Sequence, residues 1–365
     1  MMRKKVGVLS MQRIQNYGSF LQAFGLKSML EELECDVQFV DYHPGKTLIP
    51  SSEGTGLRRK ISKALDAMKG SAPFREKIRF IKYKKNYASN YYPYLGITEK
   101  RNYSPEVDLL IIGSDEVFNC VQDNTNVGFS PELFGQKRKA KKLISYAASF
   151  GNTTEEKLEQ YRIEKKIKVW LKEFDAVSVR DKNSGELVKR MTGVEPFYHL
   201  DPVLMYEFKD IPRLVPKEKY LLLYGYSGRF SNEECRRIRA YAKRKELKIY
   251  CIGGIQNCCD RFIDVNPFEV IAYFQNAECV ITDTFHGTIL SVITHRQFVS
   301  IVRESGYGNS QKLIDLLHRL ELEDRRILSI SGLKKLGMKI DYEKTDHIIQ
   351  SERAKTIDYL KNWIG

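Results

Sequence analysis

Short apolar runs alternate with stretches of helical periodicity along the whole chain. In the first half the apolar runs predict strands at 5–9, 37–42, 109–113, 143–147, 176–179 and 197–200. These runs are almost continuously apolar, which is typical of parallel strands covered by helices on both faces. The pattern therefore predicts a parallel sheet in an α/β arrangement.

Two helices are predicted between these strands. The first has apolar residues at spacings of three and four: Phe20, Ala23, Leu26, Leu30 and Leu33. The second covers 154–173 and begins with Glu155 and Glu156, whose charges suit a helix N-terminus.

The same alternation restarts after a proline-interrupted stretch at 211–216, which we interpret as a linker between domains. The strands predicted beyond it are 220–224, 248–252, 279–282 and 298–302. The predicted helices are 232–245, 267–275, 286–295, 310–320 and 345–364.

This order of elements indicates two facing Rossmann-like domains. We place the N-terminal domain at 1–205 and the C-terminal domain, which we expect to hold the donor substrate, at 206–344. The last helix, in 345–365, is expected to pack back across the linker onto the N-terminal domain. Ligands of such sheets bind beyond the carboxyl ends of the strands, so residues directly after strands are the candidates for function.

Length and composition restrict the class of protein further. The 365 residues suffice for two domains, each with its own core. The seven cysteines are odd in number and include no CxxC pair, which favours reduced thiols in a cytoplasmic protein and no metal site. No apolar run reaches the roughly 18 residues that a membrane-spanning helix requires.

The positive charge is concentrated in one segment. Of a net charge of +14, residues 57–101 carry thirteen Lys and Arg against three Asp and Glu. Apolar and aromatic residues interleave with these cations at helical spacing, as at Phe74, Ile78 and Ile81. The segment is either a solvated helical insert or a patch that binds an anionic membrane surface peripherally. No nucleic-acid motif accompanies it, so no nucleic acid is expected as a partner.

Two loops after strands in the first half carry candidate polar residues. The first runs through Asn16, Tyr17 and Gly18 into a helix, whose N-terminus offers N–H groups to an anion or a hydroxyl. The same residues also suit a plain capped helix. The third strand runs into Ser114 and Asp115, where a carboxylate suits either a cleft rim or a helix cap.

Three basic residues after later strands suggest anion binding. Arg180 follows a strand, where it either pairs with the adjacent Asp181 or points its guanidinium at a phosphate or carboxylate. His286 stands where a helix begins, a position suited to phosphate binding and proton transfer. Arg303 ends the next strand and is expected to reach the same cleft. The residues around His286 complete this candidate site: Thr284, Phe285, Gly287 and Thr288.

Taken in order, these motifs resemble the polysaccharide pyruvyl transferases. The resemblance runs from about Lys5 to Arg325 and rests on six short motifs: Asn16-Tyr17-Gly18, Gly113-Ser114-Asp115, Ser145 to Gly151, Ser178-Val179-Arg180, His199-Leu200-Asp201-Pro202 and Phe285-His286-Gly287. It implies two Rossmann-like domains similar to GT-B glycosyltransferases. It also implies transfer of pyruvate from phosphoenolpyruvate, as co-substrate and without a further cofactor, to form a ketal on a sugar.

The resemblance assigns expected roles to single residues. His286 is similar to the family's catalytic or phosphate-binding histidine, Arg180 to its cleft arginine, and Asp115 to a polar contact near the donor. Some members carry an arginine two residues before this histidine, where Thr284 stands here. The expected acceptor is a hexose in a glycan precursor, linked to a lipid diphosphate, which would suit a cytoplasmic protein held peripherally at the membrane.

Two other functions fit the same sequence. One is a glycosyltransferase that uses a nucleotide sugar, because the fold does not determine the chemistry. The other is a non-catalytic glycan-binding protein, which would be favoured if Arg180 and His286 did not share one cleft.

Overall fold

The computed structural model describes residues 3–49, 71–214, 216–303 and 310–365, which contain two parallel β-sheets of six strands each. The N-terminal sheet has the order β2-β1-β3-β4-β5-β6. Its strands are β1 Lys5–Leu9, β2 Asp36–Phe39, β3 Glu106–Asp115, β4 Lys139–Ala148, β5 Ser178–Val179 and β6 Phe197–Tyr198. Its helices are α1 Tyr17–Glu32, α2 Phe74–Tyr91, α3 Glu155–Gln160, α4 Glu164–Leu171, α5 Lys182–Thr192 and α6 Pro202–Met205.

The C-terminal sheet has the order β12-β11-β10-β7-β8-β9. Its strands are β7 Tyr220–Tyr224, β8 Lys248–Ile252, β9 Arg261–Phe262, β10 Cys279–Thr282, β11 Phe298–Ile301 and β12 Arg326–Ile327. The helices of this half are α7 Asn232–Arg244, α8 Pro267–Gln275, α9 Phe285–Ile293, α10 Ser310–Arg319 and α11 Glu343–Ile364. In both sheets strand order reverses near the first strand, as in doubly wound folds.

The central strands form because their side chains are apolar on both faces and helices cover both. In β7, Leu221, Leu222 and Leu223 are all fully buried. Burying one such side chain contributes about 1.5–3 kcal/mol, so three consecutive leucines stabilise a central strand whichever way each one points. The predicted fold class, two facing Rossmann-like domains, is confirmed.

Helix α11 joins the two halves. Near its start the Thr345 hydroxyl donates to the backbone oxygen of Leu320 (3.0 Å) in the C-terminal half. Near its end the Tyr359 hydroxyl donates to the backbone oxygen of Ser145 (2.8 Å) in β4 of the N-terminal sheet. The predicted return of the last helix to the N-terminal domain is thereby confirmed.

The helix predicted at 154–173 is divided into α3 and α4. The break contains Arg162, whose φ of +54° lies in the left-handed region and cannot continue a helix. Ile163 lies at this break and is buried, so the break packs against the hydrophobic core.

Helix α2 covers part of the basic segment, whose first residues, 57–70, lie outside the described part of the chain. Tyr83, Tyr87 and Tyr91 line the buried face of α2 and pack on Tyr17 of α1. None of the described helices has the length and apolar character needed to cross a bilayer.

Candidate functional site

A cleft of about 190 Å³ lies between the two sheets. One wall comes from the loop between β1 and α1 and from residues that follow β3 and β5. The opposite wall comes from residues that follow β7, β8 and β10. Both sheets thus direct the carboxyl ends of their strands at one space, where parallel α/β folds bind ligands.

Arg180, which follows β5, is buried in the wall of this cleft. Its Nη1 donates to Asp201 Oδ2 (2.8 Å) and its Nη2 to Asp115 Oδ1 (3.0 Å). The guanidinium carbon lies 4.4 Å from the centre of the Phe285 ring. Burial opposes the charge, but the surrounding carboxylates, with Asp115 and Asp201 first, raise the pKa of Arg180. Arg180 is therefore a permanent cation held by two carboxylates, and Asp181 is occupied in capping α5 instead.

His286 lies in the first turn of α9, opposite Arg180. Thr284 caps this helix, because its hydroxyl accepts a hydrogen bond from the backbone N–H of Gly287 (3.0 Å). The imidazole Nε2 lies 3.6 Å from Asp201 Oδ2, within ion-pair distance. The other side of the ring faces Gly18 of α1 so closely that a Cβ there would lie 2.3 Å from His286 Cγ.

Asp201 connects Arg180 and His286 across the two domains. It is 1% exposed, and its Oδ1 accepts from the backbone N–H of Val203 (3.0 Å). Burial alone would raise the pKa of this carboxyl, but His286 and Arg180 outweigh it and lower the pKa to about 2. Asp201 is thus an anion at any physiological pH and holds the Arg180 guanidinium and the His286 imidazole in place.

Two acidic residues lie at the carboxyl end of β3, where it reaches the cleft. Asp115 Oδ2 accepts a hydrogen bond from the Ser19 hydroxyl (2.9 Å) at the start of α1. Glu116 forms an ion pair with Lys312 of α10, a contact between the two halves of the chain. Burial works against ionisation here as well, but Lys312 lowers the pKa of Glu116 to about 2.

Lys84 of α2 lines the mouth of the cleft. Its Nζ donates to the backbone oxygen of Gln15 (3.0 Å). Burial lowers the pKa of Lys84 to about 8, so its ammonium group is still predominantly charged at neutral pH. Arg180 donates to two carboxylates, whereas Lys84 donates to a neutral carbonyl, which does not compensate the charge of its ammonium group.

The cleft brings together seven of the residues predicted for the site: Asn16, Tyr17, Asp115, Arg180, Thr284, Phe285 and His286. Asn16 donates through Nδ2 to the hydroxyl of Tyr226 (3.0 Å), and Tyr17 donates to the backbone oxygen of Val265 (2.7 Å). Both contacts join the start of α1 to the C-terminal half. That Asn16 and Tyr17 bind a substrate remains a prediction.

Three predicted residues lie behind the cleft wall instead. The Ser114 hydroxyl donates to Asp201 (3.2 Å) and is fully buried. The N–H of Gly287 is taken by the Thr284 cap. Thr288 is hydrogen-bonded to Ser300 (2.6 Å) in the adjacent strand. Ser114, Gly287 and Thr288 thus hydrogen-bond to residues around the cleft, and their contacts help to position the residues that line it.

Arg303 is placed away from the cleft that it was expected to reach. Its Nε donates to Asp283 Oδ2 (3.0 Å) and its Nη1 to Glu234 Oε1 (2.9 Å). Asp283 is 1% exposed, and a buried carboxylate is stable only when cations or donors compensate it. Arg303 therefore turns toward Asp283 and α7. Arg303 does not appear among the described residues that line the cleft.

The sequence analysis assigned no role to four residues of the site, although one of them, Asp201, stands in a motif that carries the resemblance: Asp201, Glu116, Lys312 and Lys84. Asp201 follows a predicted strand and Glu116 adjoins Asp115, so position alone could have suggested both. Lys84 and Lys312 lie on helices among many other lysines, and no local pattern distinguishes them. Within the described ranges, no three His, Cys, Asp or Glu side chains are grouped so that they could hold a metal ion.

Solved structures with the same architecture share little sequence with this chain. S. aureus MnaA, solved with UDP, is 9% identical, and the alignment covers 100% of this chain and 97% of that one with a TM-score of 0.50. The glycotransferase of kitacinnamycin is 10% identical, with 100% of each chain covered and a TM-score of 0.49. At such identities the likeness to MnaA concerns the fold alone.

The family comparison is more specific than the structural one. No curated protein matches the chain. The family described as polysaccharide pyruvyl transferase, however, matches it over residues 16–306, a range that begins at the cap of α1 and includes both Arg180 and His286. By this match, and by the cleft that these residues share, the chain belongs to the polysaccharide pyruvyl transferase family.

Proposed function

We propose that this protein transfers the enolpyruvyl unit of phosphoenolpyruvate to two hydroxyls of a hexose in a surface-glycan precursor. The products would be a pyruvate ketal and inorganic phosphate. The observation that carries this proposal is the convergence of Arg180 and His286 on Asp201 in one interdomain cleft. A guanidinium and an imidazole from different domains offer hydrogen-bond donors to a small donor substrate that carries a carboxylate and a phosphate.

The chemistry needs an acid, an anion site and a base. A proton added to the methylene carbon of phosphoenolpyruvate leaves an oxocarbenium-like carbon, which one sugar hydroxyl attacks. The C–O bond to phosphate then breaks, and a second hydroxyl closes the ketal, each hydroxyl losing its proton. We assign His286 as the acid or the phosphate partner, because Asp201 lies close enough to stabilise a positive charge on its ring.

The anion site cannot depend on Arg180 alone. Its Nη1 and Nη2 are engaged by carboxylates, so the donor would meet a guanidinium that is largely neutralised. We propose that Lys84 and the N-terminus of α9 provide the remaining positive charge. Asp115 lines the cleft, hydrogen-bonded to Arg180 and Ser19, and is the carboxylate that we assign to accept a proton from a sugar hydroxyl.

We further propose that the acceptor is linked to a lipid diphosphate and that the protein works at an anionic membrane surface. This part is supported by the outer face of α2, where Phe74, Ile78 and Ile81 are 63%, 39% and 42% exposed. The cations Arg75, Lys82 and Lys85 are exposed on the same helix. Basic helices with exposed apolar side chains bind anionic bilayers peripherally.

The test supplies phosphoenolpyruvate and a lipid-linked glycan extract, and follows phosphate release together with the mass of the glycan. The wild-type protein should release phosphate and add the mass of a pyruvyl ketal. His286→Ala and Arg180→Ala should each lower the rate by about 10²–10³-fold, as loss of such charged contacts does elsewhere. His318→Ala, at an exposed histidine of the same half, is the matched control. Wild-type rates in either cleft variant would contradict the assigned roles.

A nucleotide-sugar glycosyltransferase remains the second candidate, because both sheets have the arrangement of that fold. Incubation with nucleotide sugars in place of phosphoenolpyruvate would release free nucleotide if this candidate were correct. The glycan-binding alternative depended on Arg180 and His286 lying in different places, and they line the same cleft.

A further inference from the structure

A second, larger groove opens directly beside the cleft. Its volume is about 1190 Å³, and Met11, Ile14, Gln15 and Asn124 line both spaces. It lies over the ends of β1 and β2, with one wall formed by residues 88–101 and the other by residues 124–126. Pockets for small molecules are typically about 300–1,000 Å³, so this groove can hold a ligand larger than a single small molecule.

The floor of the groove is polar and connected by hydrogen bonds. Asp41 is buried there and forms an ion pair with Arg13, whose Nη2 lies 2.9 Å from Oδ2. Arg101 adds a second contact to the Asp41 carboxylate (3.2 Å), and the backbone N–H of Asn102 a third (2.9 Å). Arg13 also donates to the backbone oxygen of Thr98 (2.9 Å), which ties the floor to the wall.

The charges in the groove compensate one another. Arg13 and Arg101 are matched by Asp41 and Glu99 among the residues of the lining that the structure describes. Among the described residues of the lining, the positive charges do not exceed the negative ones, so these residues do not favour a diphosphate or another multiply charged anion, in contrast to Lys84 at the mouth of the cleft. A neutral ligand with many hydroxyls fits better, because fixed carboxylates, guanidinium groups and amides offer it both donors and acceptors.

Aromatic rings complete the lining. Tyr92 is held by a hydrogen bond from its hydroxyl to the backbone oxygen of Arg13 (2.5 Å), and Tyr42 lies beside Asp41. Such rings provide flat apolar surfaces next to polar groups, the combination by which concave sites orient their ligands.

We propose that this groove binds the acceptor glycan beyond its reacting hexose, as a neutral oligosaccharide of two or more sugar units whose end enters the cleft. Gln15 and Asn124 line both spaces and so connect the groove to the cleft that holds Arg180 and His286. The inference rests on the proposed function, which places the reacting end of the oligosaccharide in that cleft. It assigns the N-terminal half the choice of glycan and separates that choice from donor binding.

The test blocks the groove and leaves the cleft open. Ser89 is exposed on α2 and lines the groove, whereas its neighbour Asn90 is exposed and lies outside both described linings. Ser89→Trp should fill the groove from one wall, and Asn126→Trp should do so from the other. Asn90→Trp is the matched control for the added indole.

Binding is measured on an array of bacterial oligosaccharides of graded length, without phosphoenolpyruvate. The wild-type protein and Asn90→Trp should retain the same oligosaccharides, and both groove variants should lose at least tenfold in affinity for them. Unchanged retention by both groove variants, or no oligosaccharide retained by the wild-type protein, overturns the inference.

Donor binding is measured separately by calorimetry with phosphoenolpyruvate alone. All four proteins should bind it equally. Failure of the wild-type protein to bind phosphoenolpyruvate would contradict the proposed function while leaving the array result to decide on the groove.

Discussion

Gly18 lies at the closest approach of the two domains within the site. It belongs to the first turn of α1, and the nearest atoms to a Cβ at this position would be His286 Cγ and Nδ1, both at 2.3 Å. Any side chain there must displace the imidazole or separate α1 from α9. The need for glycine thus comes from the opposite domain and not from the backbone conformation of Gly18 itself.

Gly18→Ala should therefore impair the reaction while α1 still forms, because alanine favours helix. A displacement of His286 by about 1 Å is expected to lower the rate of phosphate release by about 10²-fold. Gly337→Ala, where a Cβ would meet nothing within 4 Å, serves as control. Equal rates in the two variants would show that His286 tolerates the displacement.

Asp201 connects the chemistry of the site to the stability of the protein. Its folded-state pKa of about 2 lies below the value of about 3.9 for an unfolded Asp. The carboxylate therefore stabilises the folded state above about pH 4, and this contribution disappears as the pH falls toward 2. Removing the charge of Asp201 would also leave the buried Arg180 guanidinium with one of its two carboxylate hydrogen-bond partners, Asp115.

Asp201→Asn should lower the free energy of unfolding by about 3–5 kcal/mol at neutral pH, as breaking a buried ion pair typically does. The difference from the wild-type protein should shrink between about pH 4 and pH 2, because the wild type loses the same charge there. Urea unfolding across this pH range measures both effects. Asp358→Asn, at an exposed position, should change stability by less than about 0.5 kcal/mol, and a constant difference at all pH values would refute the assignment.

At the scale of elements, α2 uses its two faces differently. Its tyrosine face is buried against α1, and Tyr91 also hydrogen-bonds Asp264 of the other half (3.2 Å). Several cations of the basic segment are engaged internally, including Arg79, which pairs with Glu76 (2.6 Å), and Lys84 in the cleft. The described part of the basic segment is therefore partly structural, and the outer face of α2 is the part of it on which the membrane proposal rests.

Vesicle flotation tests that outer face. The protein should float with vesicles that contain anionic phosphatidylglycerol, less so at high salt, and not with neutral phosphatidylcholine alone. Replacing Phe74, Ile78 and Ile81 together by Ser should abolish flotation. Replacing Val169, Val194 and Leu328 by Ser, which are comparably exposed apolar residues elsewhere, should not. Flotation of the α2 variant at the wild-type level would remove the membrane proposal.

At the scale of the whole molecule, the site exists only while the two domains keep their relative position. Glu116 and Lys312 join them at the cleft, and α11 joins them on the N-terminal sheet. The ring of Tyr359 on α11 lies 4.6 Å from that of His199, which follows β6. A helix at the end of the chain thus helps to hold the strands whose ends carry Arg180 and Asp201.

Tyr359→Ala should destabilise the protein by about 3–5 kcal/mol, the usual cost of removing a buried aromatic side chain. Tyr359→Phe keeps the ring and loses only the hydrogen bond to Ser145, which should cost about 1 kcal/mol. Urea unfolding of the two variants compares these effects. If both lost the same stability, the ring would contribute nothing and α11 would not be packed as described.

The agreement between sequence and structure depends on the length and character of each segment. The predicted strands at 220–224, 248–252 and 279–282 coincide with β7, β8 and β10, because each is a buried apolar run with clear ends. The edge strands β9 and β12 have two residues each, and the sequence pattern does not predict them. They exist because a neighbouring strand offers them hydrogen bonds.

The sequence by itself determined the two βα halves, the family and seven of the residues that line the cleft, because these follow from local apolar patterns and from motifs directly after strands. Only the tertiary structure decided which charges meet. Arg180 binds two distant carboxylates instead of its neighbour Asp181, Arg303 turns toward Asp283, and Lys84 reaches the cleft from an inserted helix. Partners of this kind depend on the distance between side chains after folding, and no local pattern encodes that distance.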